Sequence, residues 1–263
     1  MNNISIYGIT NKGKVREQNE DNFFINLPLS LMLVADGMGG HNSGELASSM
    51  AVKLTSEKFI YLLKNKIKPE IINKDYSINT NRLISSFDYA NDMIFEKSQK
   101  FQDCSGMGTT LTGCFILDNF LSLVHIGDSR AYILRRNELM QLSEDDSFVM
   151  DQYRKGNITL EEVKKSSYRN VLTKALGIKR YNEYFVLEKK LEENDIILLA
   201  TDGLTKMVED DEIKEILKKE KNIEIASKKL LDTANERGGE DNITIIIAKV
   251  NQQKIIDRIK KLF

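Results

Sequence analysis

The chain reads as an α+β protein whose strands run mainly antiparallel, and two observations point there. In mid-sequence, GTTLTGCFIL is joined to FLSLVHIGD by Asp118-Asn119, and SRAYILR to ELMQLS by Arg136-Asn137. Strands linked by two residues must run antiparallel, which rules out a doubly wound parallel sheet. Stretches with apolar residues every three or four positions lie on both sides of this block, so helices flank the strands rather than alternate with each of them.

In order along the chain, ISIYGIT (4–10) and DNFFINLP (21–28) read as strands. LSLMLVAD (29–36) is an almost unbroken apolar run of strand length that closes on a carboxylate. Residues 43–65 carry Leu46, Met50, Ala51 and Leu54 on one helical face, and 80–99 carry Leu83, Phe87, Ala90 and Ile94. Between them, 66–79 holds Pro69 and many polar residues, a surface connection. After the two hairpins, 145–180 is polar with short apolar patches, a helical or irregular excursion from the sheet. NDIILLATD (194–202) is a further strand; helices follow near 209–220 and 222–236, then the strand NITIIIAKV (242–250) and a short helix, KIIDRIKKLF. With no Gly-, Ser- or Pro-rich linker and no repeat, residues 1–263 are read as one domain.

Composition narrows the function. Hydrophobic residues make up 41% and charged residues 29%, as in ordinary globular proteins. A formal net charge of −1 offers no global positive field for nucleic acid or an anionic membrane. The start lacks the basic flank and apolar run of a signal peptide, and no stretch approaches the ~20 apolar residues of a membrane span, so a cytoplasmic location is expected. Cys104 and Cys114 match no zinc knuckle, and Thr110 and Phe120 stand where the C-x5-R signature of a cysteine phosphatase needs arginine. Gly8 to Lys14 fits most of a P-loop, but Val15 replaces the hydroxyl that would bind Mg²⁺. With His41 and His125 as the chain's two histidines, a histidine-rich metallophosphatase is excluded as well.

Asp36, Asp128 and Asp202 each close an apolar strand, and Asp241 precedes one. Acids at strand ends are held at one rim of a sheet, where carboxylates can converge on hard cations; oxygen ligands suit Mg²⁺ or Mn²⁺. A single aspartate at a strand exit says little, because aspartate favours turns. The neighbours say more: Gly-Met-Gly-Gly-His follows Asp36, Ser-Arg follows Asp128, Gly-Leu follows Asp202, and Asn-Ile-Thr follows Asp241. Upstream stands Arg16-Glu17-Gln18-Asn19-Glu20-Asp21. A guanidinium beside such a cluster can grip two phosphate oxygens in a fixed fork; it can equally be a surface arginine paired with nearby acids.

Together these segments resemble the metal-dependent protein phosphatases of the 2C type, in their compact bacterial form. The resemblance rests on RxxNED at 16–21, DGMGGHxxGExAS at 36–48, GMGTTLT at 106–112, GDSRAY at 127–132, LTKALG at 172–177, TDGL at 201–204 and GGEDNIT at 238–244, in that order. It implies a four-layer α-β-β-α sandwich, two mainly antiparallel sheets face to face with helices outside. It implies protein Ser/Thr phosphatase activity with two Mn²⁺ or Mg²⁺ ions. Asp36 would bridge them, the Gly37 carbonyl would bind one, and Asp202 and Asp241 would complete the other. Glu20 would act through water, with Asp21 and Asn242 in support. Asp128 and Asp202 match the ligands of a third ion, and Arg16 the arginine that holds the substrate phosphate. A hydroxide bridging the ions would attack phosphorus directly.

The chain departs from the family at Met38, which stands where some relatives place a histidine acid; a thioether donates no proton. His41 would lie nearby, as a proton donor or as a helix-start residue that packs the loop, and metal-bound water is the preferred source. Residues 145–180 match the family's flap, with Asp145-Asp146-Ser147 where relatives often have His after the first acid. The partners expected are phosphoproteins and a Ser/Thr kinase whose targets the enzyme would reset, with a monomeric chain. The alternative is an inactive, phosphoprotein-binding pseudophosphatase, which should have lost some of these acids.

Overall fold

The computed structural model describes residues 4–39 and 43–251. His41 and the expected helix at 254–263 lie outside them. The strands are β1 (Ile4–Asn11), β2 (Asp21–Asn26), β3 (Leu31–Met38), β4 (Gly108–Thr109), β5 (Leu111–Leu117), β6 (Phe120–Ile126), β7 (Arg130–Arg135), β8 (Glu138–Gln141), β9 (Phe185–Lys190), β10 (Ile196–Ala200) and β11 (Ile243–Val250). The helices are α1 (Ser43–Lys64), α2 (Ile78–Lys100), α3 (Phe148–Arg154), α4 (Leu160–Lys165), α5 (Asp202–Thr205), α6 (Asp210–Lys219) and α7 (Ile223–Glu236). One sheet has the order β1-β11-β10-β7-β8; the other runs β2-β3-β5-β6-β9, with β4 on the end of β3. Every strand pairing between them is antiparallel.

Side chains that alternate along a strand explain the layers. On β3, Leu31, Leu33 and Ala35 join Ala47, Ala51, Phe59, Leu83 and Phe87 under α1 and α2. Met32 and Val34, one residue out of phase, meet Ile133, Ile197, Leu199 and Ile246 between the two sheets. On β11 the split repeats: Ile243, Ile245 and Ile247 pack with Ile213, Leu217 and Leu230 beneath α6 and α7, while Ile246 and Ala248 face the centre. Both faces of the inner strands are buried, which is why they read as unbroken apolar runs. The result is the four-layer sandwich with helices outside.

Both hairpins form where expected. Asp118 and Asn119 have φ of 49° and 61°, Arg136 and Asn137 of 52° and 70°, the left-handed pair that a two-residue turn between right-twisted strands requires. The excursion at 145–180 carries α3 and α4, each started by a side-chain cap from Ser147 or Thr159. A bridge between Ser147 and Leu172 closes its two arms on each other, and one between Thr109 and Leu176 ties it to the body.

The structure corrects three local readings. Leu27–Leu29 form a 3₁₀ turn, so the third strand opens at Leu31. β9, unassigned in the sequence, adds an edge strand beside β6. Asp36 lies inside β3, ahead of Gly37 and Met38, and Asp202 opens α5 after β10 has ended.

Burial of both faces of β11 gives a test. Ile245→Ala and Ile246→Ala should each cost about 2–5 kcal/mol in denaturant unfolding, although they point to opposite sides. A cost under about 1 kcal/mol at either site would mean that face is open to solvent.

Candidate metal and phosphate site

The predicted acids do not share one sheet rim; the two sheets bring them together from either side of the sandwich. Glu20, Asp21, Asp36 and Asp128 come from the β2-β3-β5-β6-β9 sheet and its loops, Asp202 and Asp241 from the loops bounding β10 and β11. Strand pairing sets Asp21 directly opposite Asp36. The Asp36 backbone is fixed on both sides: its N–H donates to Thr110 Oγ1 (2.9 Å), and its carbonyl accepts from the Thr110 N–H (2.9 Å) and the Thr109 hydroxyl (2.8 Å). The Gly37 N–H donates to the Glu20 carbonyl (3.2 Å), which also accepts from the Ser48 hydroxyl at 2.5 Å. A side chain at Gly37 would put its Cβ 2.0 Å from the Gly44 carbonyl oxygen, so glycine is what lets the first turn of α1 press against β3.

The loops of the other sheet lock onto this frame. Thr201 donates its hydroxyl to Asp21 Oδ2 (2.8 Å), a tie across the two sheets. Gly203 lies so close to Asn242 that a Cβ would sit 2.0 Å from the Asn242 carbonyl oxygen. Asn242 uses every polar group of its amide. Its Oδ1 accepts from the Glu20 N–H (2.8 Å) and its Nδ2 donates to the carbonyls of Lys12 (3.0 Å) and Gln18 (2.9 Å). It thereby pins the whole loop that carries Arg16 and Glu20. Arg16 Nη2 donates to Asp241 Oδ2 at 2.9 Å, and its side chain stays 53% exposed at the mouth of the site. One turn of chain beyond Asp202, the Lys206 ammonium contacts Asp202 Oδ2.

Asp128 follows β6, and its neighbours tie it to the flap. The Ser129 hydroxyl shares a hydrogen bond with Thr110 Oγ1 (2.8 Å). Arg130 forms a bidentate pair with Asp145, with Nε and Nη2 at 3.0 and 2.8 Å. The Gly127 N–H donates to Asp146 Oδ2 (3.1 Å), and Lys174 Nζ lies 3.3 Å from Asp146 Oδ1.

This packing creates an electrostatic conflict. Burial is the largest cause at each of four carboxyls and favours their neutral forms. It pushes Asp21, helped by repulsion from Asp202 and Asp241, up to about 7. It pushes Asp128, helped by Asp202, up to about 8, despite Lys206 and Arg130. Asp36 is driven well above the carboxylate range by burial and by Asp21, Asp202, Asp128 and Asp241 together. Glu20 is raised as well, by burial first, with Arg16 opposing. Lys206 is held above its ordinary value: burial opposes its charge, but Asp202, Asp128 and Asp241 outweigh it. Two buried carboxylate oxygens, Asp21 Oδ1 and Asp202 Oδ1, have no hydrogen-bond partner among the described residues.

Unpartnered buried oxygens and carboxyls forced toward neutrality are the signature of a place built for cations, and an all-oxygen donor set fits Mn²⁺ or Mg²⁺. Among the described residues, no three acidic, histidine or cysteine side chains close on one point as a finished shell; backbone carbonyl and water would have to complete it. Hydrogen bonds, strand pairing and mutual charge connect Arg16, Glu20, Asp21, Asp36, Asp128, Asp202, Asp241 and Asn242 here, with Gly37 beside Asp36. Met38 lies against Gly108, where its Cε would meet an added Cβ at 2.8 Å, so it packs. His125 is buried, which lowers its pKa below the ordinary imidazole value; its Nε2 is set between the carbonyls of Gly127 (3.0 Å) and Glu144 (3.1 Å) and its Nδ1 against the Thr112 hydroxyl (2.8 Å). Sequence reading missed Thr110, Thr201 and Lys206. For Lys206 the signal was present, since a lysine four residues after an acid meets it on one helical turn.

Comparison with known proteins gives the family. Residues 14–239 match the family Protein phosphatase 2C. The chain is 34% identical over 247 residues to the Serine/threonine phosphatase stp of Listeria welshimeri, covering 92% of this chain and 94% of that protein. The crystal structure of the Mycobacterium tuberculosis serine/threonine phosphatase PstP/Ppp superposes with a TM-score of 0.83 at 31% identity, over 95% of this chain and 99% of that one. The catalytic domain of PstP in complex with 2 manganese ions gives a TM-score of 0.80 at 32% identity, over 95% and 99% of the two chains. Sequence motifs, a two-sheet sandwich with a carboxylate seam, and these likenesses agree: the chain belongs to the protein phosphatase 2C family.

Proposed function

We propose that this chain is a protein serine/threonine phosphatase, a single catalytic domain over 1–263 with 145–180 as its flap, that hydrolyses phosphoserine and phosphothreonine with two divalent cations. The observation that carries the reading is the seam of buried carboxylates with orphaned oxygens at Asp21 and Asp202, set beside an exposed Arg16. The two manganese ions of the PstP catalytic domain support Mn²⁺ as one such cation, with Mg²⁺ served by the same donors.

Asp36, the Gly37 carbonyl, Asp202 and Asp241 would hold the ions, with Glu20 reaching them through water. When bound, such cations would supply hydroxide at neutral pH and offset phosphoryl charge. The chain's own residues do the rest. Thr109 and Thr110 fix the backbone that carries Asp36, and Asn242 holds the Arg16–Glu20 loop in register with Asp241. Arg16 would turn its fork to the equatorial phosphate oxygens and offset their growing charge. No cysteine nucleophile takes part, since Cys104 and Cys114 are buried free thiols, and burial holds the Cys114 thiol far above the usual range.

The substrates proposed are phosphoproteins, among them the targets of a bacterial Ser/Thr kinase that this enzyme would oppose. Unpaired thiols support a reducing, cytoplasmic setting. Among the described residues no helix is long and apolar enough to cross a membrane.

A phosphothreonine peptide assayed with Mn²⁺, and again with chelator, tests the reading. Activity should require the metal and fall by more than ~100-fold in Asp36→Asn, since even residues that merely support metal ligands cost 10–100-fold. A folded, metal-loaded protein without activity would instead move the weight to phosphoprotein binding. Arg16→Lys should keep the charge but lose the fork, lowering kcat/KM by about 10–100-fold, as expected for a charge-assisted hydrogen bond of ~1.5–3 kcal/mol. Equal kcat/KM in the wild type and Arg16→Lys would remove Arg16 from the phosphate.

A further inference from the structure

Resting on the two-metal reading, we infer that Lys206 supplies the positive charge at the corner formed by Asp202 and Asp128, where a third divalent ion would otherwise bind, so that this chain takes two divalent ions and not three. The inference starts from chain geometry. Asp202 opens α5 and Lys206 closes it, four residues on; the Lys206 N–H donates to the Asp202 carbonyl at 2.8 Å. The same turn of helix that makes this backbone bond brings the Lys206 ammonium onto Asp202 Oδ2. Only 21% of the Lys206 side chain is exposed. A long, strongly hydrated side chain is rarely enclosed to that degree unless its charge has a use there.

The ammonium's surroundings say what that use is. The acids acting on Lys206 are Asp202, Asp128 and Asp241, and Asp202 and Asp128 are the two carboxylates matched to a third ion. Arg130 also acts on Asp128, but its fork is committed to Asp145. Lys206 instead has its ion pair with Asp202. Its contact also divides the Asp202 carboxylate. Oδ2 meets the ammonium, while Oδ1 is buried without a partner among the described residues, which leaves it for one of the two divalent ions. A third divalent ion at the same corner would have to displace the ammonium from Oδ2 and lie against its charge. Its affinity would fall accordingly, because ligand charge count sets the strength of such sites.

A lysine in this place gives the site a cation that never dissociates. It offsets part of the carboxylate repulsion at Asp202 and Asp128 at any metal concentration. Were it a simple strut for Asp202, its removal would loosen the loop and leave the number of bound ions unchanged.

Stoichiometry separates these roles. Mn²⁺ binding to the metal-free full chain would be counted by native mass spectrometry and equilibrium dialysis, with hydrolysis of a phosphothreonine peptide followed in parallel. The wild type and Lys206→Arg should hold two Mn²⁺ per chain. Lys206→Met should acquire a third, at least ~10-fold tighter than any third binding to the wild type, and Lys206→Met with Asp128→Asn should lose it again. Lys206→Gln serves as a second neutral variant if circular dichroism shows Lys206→Met unfolded. Three ions on the wild type, or two on every folded neutral variant, would overturn the inference while the phosphatase reading stands on the peptide assay. A wild-type chain that binds no Mn²⁺ and cleaves no peptide would remove both.

Discussion

The structure depends on one constraint: two sheets that are stable only when pressed together must meet at a seam lined with like charges. Leu199, Ile246, Val34 and Ile133 hold the sheets face to face over an apolar interior. At the end of that interface, Asp21 and Asp36 from one sheet meet Asp202 and Asp241 from the other, and burial drives Asp21, Asp36 and Asp128 toward their neutral forms. Apolar burial supplies the free energy, and the seam is where some of it is held as electrostatic tension. Such tension makes the fold responsive to cations, and it locates the chemistry.

The supporting hydrogen bonds make sense in that light. Carboxylates that repel one another would relax apart on flexible loops, so the loops are denied freedom. Asn242 binds three backbone groups of the 12–20 segment, Thr201 clamps Asp21, and Gly37 and Gly203 allow backbone contacts that no side chain would permit. Most of these groups are small polar residues whose role is to keep acids in place against their own repulsion. Lys206 has a similar place, a positive charge set against Asp202.

Much of this was legible in the sequence, for identifiable reasons. The hairpins declared themselves because in each case two strand-length runs are separated by only two residues. Inner strands such as IILLA showed as unbroken apolar runs because both faces are covered. β9 escaped because FVLEKK is a half-buried edge strand with charged residues at its end. The acids were identified by their neighbours and order, yet their gathering from two sheets was invisible, since periodicity within a segment says nothing about which sheet it joins. Lys206 was passed over although it stands four residues after Asp202, because α5 spans only Asp202–Thr205 and the stretch after the strand carries no longer helical pattern to draw attention to that spacing.

The central claim, that the seam is held against its own charge until divalent cations bind, is tested most directly by thermal unfolding with and without Mn²⁺ across pH. Asp21 and Asp128 bind protons in the folded protein up to about 7 and about 8, but in the unfolded chain only near 3.9. Between those values the folded state holds more protons, so their contribution to stability is fully present at low pH and is lost as pH rises through 7 and 8. The account predicts that metal-free protein loses melting temperature from about pH 6 to pH 8, and that Mn²⁺ raises it most at the upper end, flattening or reversing the slope. A metal-free protein whose melting temperature rises across that range, or an Mn²⁺ shift that does not grow with pH, would contradict it.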